Sequence, residues 1–154
     1  MSLSIRVTIF IFIAIWCAGF FFEWLIPLNE KLLALLPFLH HTYSLICHQE
    51  KVKLITSNGF ESLVCSRCAG IYLGLLAGSL LSIFRIPQKN PNIKVLAACI
   101  IIMLSDIAAY SIGIYHYSKL IAFITGFLLG SVAFSYFYNG IIQLFAEIKK
   151  PGYN

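Results

Sequence analysis

An all-α integral membrane protein, folded as a bundle of four transmembrane helices, is what this 154-residue sequence predicts. Three observations lead there. Hydrophobic residues make up 60% of the chain and charged residues 11%, whereas a soluble domain carries about a quarter charged residues. The mean hydropathy is +0.88, which excludes a water-soluble globule and a disordered chain. The apolar residues gather into four runs, each near the about 20 residues that a helix needs to cross the hydrocarbon core. The length leaves room for one membrane domain, residues 1–154, and for no separate soluble one.

The first span covers about residues 7–26: Arg6 precedes a charge-free run, and Glu23, Trp24 and Pro27 close it with an aromatic anchor at the interface. Its basic start resembles a signal peptide, but Phe20, Phe21 and Phe22 stand where a small-residue cleavage site would fall, so the segment is expected to be retained. Leu32 to Ile46 is apolar but short and is broken by Pro37, which predicts an interfacial or re-entrant helix. A polar Cys/His loop, about residues 40–68, then joins helices 1 and 2. The second span, about 69–86, runs between Arg67 and Arg85, whose side chains can snorkel to the headgroups. A polar turn from Arg85 to Lys94, rich in Pro and Asn, leads to the third span, about 95–115, interrupted only by Asp106. The fourth, about 120–140, ends among Tyr136, Phe137 and Tyr138 before Asn139 and Gly140.

Charge sets orientation and excludes one class of partner. The net +5 comes from basic residues scattered singly through the connections, which suits lipid headgroups and topology and not nucleic acid. Four crossings put Arg6, Arg85, Lys89, Lys94, Lys149 and Lys150 on the terminal face, and Lys31, Lys51, Lys53, Arg67 and Lys119 on the other. Six against five places the termini in the cytoplasm and the chain in a cell (inner) membrane as a multi-pass protein. The cysteine loop then faces the oxidising side, where thiols can pair.

Within the spans, Gly70, Gly74 and Gly78 recur every four residues, and Gly126 and Gly130 repeat the spacing in the fourth helix. Such stripes predict close backbone packing, because lipid offers helices no hydrophobic drive to associate. Asp106 is costly at membrane depth and must face the bundle interior. About 14 Å from Tyr115 at 1.5 Å per residue, it is expected near mid-bilayer. It is either a neutral acid bonded to Ser105, Ser111, Tyr72 or Thr125, or part of an ion or proton path.

The chemistry concentrates in the cysteines. Of five, Cys17 and Cys99 lie inside apolar runs and read as small hydrophobes, while Cys47, Cys65 and Cys68 flank the polar loop. A CxxC at a helix start puts two sulfurs within reach of one ion or of each other, and the helix N-terminus with Arg67 favours thiolate. Cys47 and His48 add the sulfur and nitrogen that complete a tetrahedral Zn²⁺ set, with Arg67 and Gln49 as its supporting shell. Since adjacent residues ligate one ion awkwardly, His40 or His41 could supply the nitrogen instead. The competing readings are a disulfide or redox pair, and unligated thiols. His116 and Lys119 fall on the same side and could rim the site.

Cys47-His48-Gln49, the run Cys65-Ser66-Arg67-Cys68-Ala69-Gly70-Ile71-Tyr72 with Gly74, Asp106, and Thr125-Gly126 with Gly130 resemble the membrane-protein family catalogued as domain of unknown function 2085, over about residues 40–130. The resemblance implies a shared site but no established reaction. Where that family often carries Gly after the acidic residue and Arg before the last Thr-Gly, this chain has Ile107 and Lys119 or Ala122, which leaves the partner of Asp106 open. No phosphate loop, HExxH pair or GxSxG elbow is present, so hydrolase and nucleotide chemistry lack a basis.

Three functions fit. The first is a structural or metal-handling zinc site at the membrane surface. The second is a thiol-disulfide oxidoreductase working with a quinone, similar in outline to vitamin K epoxide reductase or the bacterial disulfide-bond formation protein B; it would need a second cysteine pair, for which only Cys47 and Cys17 remain. The third is an accessory subunit of a larger membrane complex; besides the lipid bilayer, the partners expected are a second copy of the chain or such a complex.

Overall fold

The computed structural model describes residues 3–28, 30–57, 59–84 and 92–148. The expected turn at Arg85 to Lys94 lies, over 85–91, outside the described residues, as do Lys149 and Lys150. The chain is mostly helical: α1 (Leu3–Gly19), α2 (Leu36–Ser44), α3 (Ser66–Ile83), α4 (Ile93–Ser111) and α5 (Lys119–Ile148), with strands β1 (Leu54–Ser57) and β2 (Phe60–Cys65) between α2 and α3. Three helices, α3, α4 and α5, are long and apolar enough to cross a membrane, while α1 has 17 residues.

The first span is therefore shorter than expected. Gly19 passes under Tyr43, where a Cβ would strike the phenol oxygen, and the Phe20 carbonyl accepts from the Leu63 amide of β2 at 2.9 Å. With the carbonyl just past its end taken by a strand, the chain continues as 3₁₀ turns over Phe22–Leu28 and Glu30–Leu35. α4 also stops early. Gly113, at φ +79°, closes a Schellman motif in which the Ile114 amide reaches the Ala109 carbonyl and the Gly113 amide the Tyr110 carbonyl, both at 3.0 Å.

The polar loop contains a hairpin that the all-α expectation omitted. Leu54-Ile55-Thr56-Ser57, with two β-branched residues, and Phe60–Cys65, with Val64, flank Asn58-Gly59, a hairpin signature, and Gly59 takes φ +82°. Pairing is antiparallel, with Leu54 opposite Cys65 and Ser57 opposite Phe60. At the irregularity between Leu54 and Thr56, the Ser62 hydroxyl accepts from the Ile55 amide at 2.9 Å and donates to the Val64 carbonyl at 2.8 Å.

The glycine stripes pack as expected. A Cβ on Gly70 or Gly74 would meet the backbone of Phe123 or Phe127 of α5, one on Gly126 or Gly130 the backbone of Arg67 or Ile71 of α3, and one on Gly78 the ring of Phe134. α1 lies antiparallel to α3. Arg6 Nη1 donates to the Ser82 carbonyl at 3.0 Å at one end, and the Cys17 thiol meets the Tyr72 carbonyl at 3.5 Å nearer the other.

Candidate metal centre

Three segments deliver three sulfurs. Tyr43 anchors the first: its hydroxyl donates to the Trp16 carbonyl at 2.7 Å, and its own carbonyl accepts from the amides of Ile46 and Cys47 at 3.2 and 3.0 Å. That turn buries Cys47 beneath the loop. Gln49, at φ +48° in the left-handed region, turns the chain away and donates through Nε2 to the carbonyls of Leu63 at 2.8 Å and His40 at 3.3 Å. β2 brings Cys65 to the junction, where it is the N-cap of α3, and Cys68 follows one turn later.

The sulfurs of Cys47, Cys65 and Cys68 lie within 4.8 Å of one another. Around a tetrahedral ion with metal–sulfur bonds of about 2.3 Å, sulfurs stand about 3.8 Å apart, a spacing compatible with that of the three cysteines. The Cys65 amide donates to Cys47 Sγ at 3.2 Å. Hydrogen bonds from the Cys65 and Cys68 thiols, aided by that amide, hold the Cys47 thiol far below the usual thiol range despite burial, and the bond to Cys47 pushes Cys65 up. Both neighbouring thiols thus favour the charged form of Cys47. Thiolate is the form that binds metal, and an entering ion displaces the remaining protons.

A cavity of about 250 Å³ opens onto the sulfurs, bounded also by His48, Gln49, Glu50, Lys53 and Arg67. His48 is exposed at its rim, and among the described residues no histidine nitrogen or carboxylate oxygen joins the sulfurs at that range. His40 and His41 are likewise exposed and outside the cluster. Cys17 and Cys99 stand apart from it, and all five cysteines are free.

Arg67 borders this cavity, yet its guanidinium Nη2 pairs with Asp106 Oδ2, and the Tyr115 hydroxyl donates to Asp106 Oδ1. This corrects the expected partners of the carboxylate. The hydroxyls of Ser105, Ser111 and Thr125 all bond back to carbonyls of their own helices, at Ile102, Ile107 and Ala122, as helical hydroxyls readily do. The position of Asp106 along α4 also differs from the expected one, because the helix is shorter than the expected span. α4 ends at Ser111, so Asp106 lies one and a half turns from its end, level with the first turn of α3. Asp106 is buried and Arg67 partly so, with side chains 6% and 15% exposed respectively.

Around it, Tyr117 bonds Ser66 Oγ at 2.8 Å, Arg67 lies 5.9 Å from the Tyr117 ring centre, and Lys53 lies 5.0 Å from that of Tyr110. Sequence reasoning did not single out Tyr115 or Tyr117. The usable signal was three tyrosines with polar tips between Tyr110 and Tyr117, beside an unexplained carboxylate. Lys119, expected near the site, donates to Thr56 Oγ1 of β1 at 3.4 Å.

The family model described as a predicted membrane protein, domain of unknown function 2085, matches residues 47–136, a stretch containing all three clustered cysteines and the Arg67–Asp106 pair. The uncharacterised protein MJ1492 of Methanocaldococcus jannaschii is 34% identical over 113 residues, 71% of this chain and 70% of that protein. No solved structure matches.

Proposed function

The chain belongs to this family of predicted membrane proteins, and from that premise we propose that it is a four-crossing protein holding a thiophilic ion, Zn²⁺ first, on Cys47, Cys65 and Cys68 at the bilayer face. The observation that carries the reading is the convergence of three sulfurs from separate segments, each positioned by its own backbone geometry. Soft thiolate sets select zinc, copper(I) and similar ions over hard cations. The ion would be structural, tying the loop after α2 to the start of α3, or handled for delivery elsewhere.

α1 supports the count of crossings. From Arg6 to Cys17 it runs alongside Ser82 to Tyr72 of α3, so it spans much of the same depth. The positive-inside rule then puts the termini in the cytoplasm and the sulfurs on the opposite face. The oxidoreductase alternative draws on the same three free thiols, but Cys17 is engaged with the Tyr72 carbonyl, away from them.

Metal analysis of detergent-purified protein beside thiol counting tests the proposal. The expected result is one ion per chain with three shielded thiols, and loss of the ion in Cys68→Ser. Unchanged metal in that variant, or a metal-free chain with Cys65 and Cys68 oxidised, overturns it.

A further inference from the structure

Three sulfurs would supply three of the four directions around a tetrahedral ion, and the cavity that they line leaves room for a fourth ligand. Structural zinc sites are closed by four protein ligands, whereas sites with three exchange the fourth. The groups bordering that direction include two cations. Lys53 is held at 2.5 Å by Glu50, a carboxylate on the same rim. Arg67 commits Nη2 to Asp106 and also borders the cavity beside the sulfurs, a second cation next to that direction. Cations beside a cluster of thiolates favour a further anion there over a neutral ligand.

Building on the metal reading above, we infer that the ion takes its fourth ligand from solution, and that this ligand is a small anion, best a low-molecular-mass thiolate, seated between the ion and Arg67. Four thiolates around zinc form a stable shell in proteins. The added charge is spread over the Arg67 guanidinium and the Cys65 amide that already donates to Cys47. The step is ligand exchange: a sulfur lone pair of the incoming anion forms the new bond to the ion, water leaves with its own lone pair, and no electron is transferred. His48 stands exposed at the rim, outside the ligand set.

Protein in detergent, loaded with Co²⁺ so that its ligand-field absorption reports coordination, is titrated with mercaptoacetate and separately with azide. The expected result is a saturable spectral shift with one Co²⁺ retained per chain, tighter for the thiolate than for azide. Arg67→Lys should weaken anion binding about tenfold, as loss of a charge-assisted hydrogen bond does, while His48→Ala leaves it unchanged. A bound Co²⁺ whose spectrum answers neither anion, or answers only once His48 is replaced, overturns the inference. Failure to bind Co²⁺ at all defeats the metal reading instead. Should Arg67→Lys not fold, Lys53→Gln decides, with about threefold weaker binding expected and unchanged affinity counting against it.

Discussion

Along α3, the face turned to α5 carries Gly70, Gly74 and Gly78 and no reactive group, while the first turn carries Arg67 and Cys68 beside the Cys65 cap. The first face meets a single partner helix through repeated backbone contacts. The first turn meets the loop after α2, the hairpin, α4 and the 112–118 connection, through sulfurs, an ion pair and hydroxyls. The difference is one of information. A packing face is written four residues apart within one helix, whereas a site is written across segments that only folding brings together.

The strongest challenge to this contrast is Asp106→Ala, which leaves the partly buried Arg67 without its counter-ion. Removing one partner of a buried pair costs about 3 kcal/mol or more, so unfolding in detergent should shift markedly to lower temperature and metal affinity should fall with it. Unchanged stability would mean that the ion pair contributes nothing to holding the first turn. A smaller effect is expected from Gly130→Val, since the new side chain presses on the Ile71 backbone. Overpacking of this kind costs about 2 kcal/mol, but here metal binding should stay at the wild-type level. If metal affinity drops as well, the two regions are one mechanical unit and the contrast fails. Smallest is Arg6→Met, which removes the hydrogen bond to Ser82 and the contact with the Tyr138 ring at the far end of the bundle. A loss of about 1 kcal/mol, read by the same unfolding assay, should leave the sulfurs untouched.

Much of the helical scaffold was legible because apolar runs and glycine spacing are local signals. The ends of the spans were less so. Gly113 carried a usable stop signal for α4, and Asn58-Gly59 one for the hairpin, yet both sat beside long apolar stretches that read as helix or undifferentiated loop. The end of α1 carried no comparable signal, since the carbonyl just past it, that of Phe20, is claimed by Leu63, 43 positions further on. The candidate site was legible in its residue types. Cys47, Cys65 and Cys68 were recognisable as a set, but His48 was not separable from them by spacing alone, and its exposure follows from the turn at Gln49. Arg67 was assigned to the sulfurs because they are its sequence neighbours, and it pairs instead with a carboxylate 39 residues away.

The amino-acid order by itself determined a chain destined for the bilayer, the helix face that packs against another helix, and the three thiols able to share an ion. These follow from composition and from periods shorter than a single helix. Only the tertiary structure decided which cation answers Asp106, where His48 stands, and that the sulfurs meet beneath a cavity. Those depend on distances between segments that no local pattern encodes.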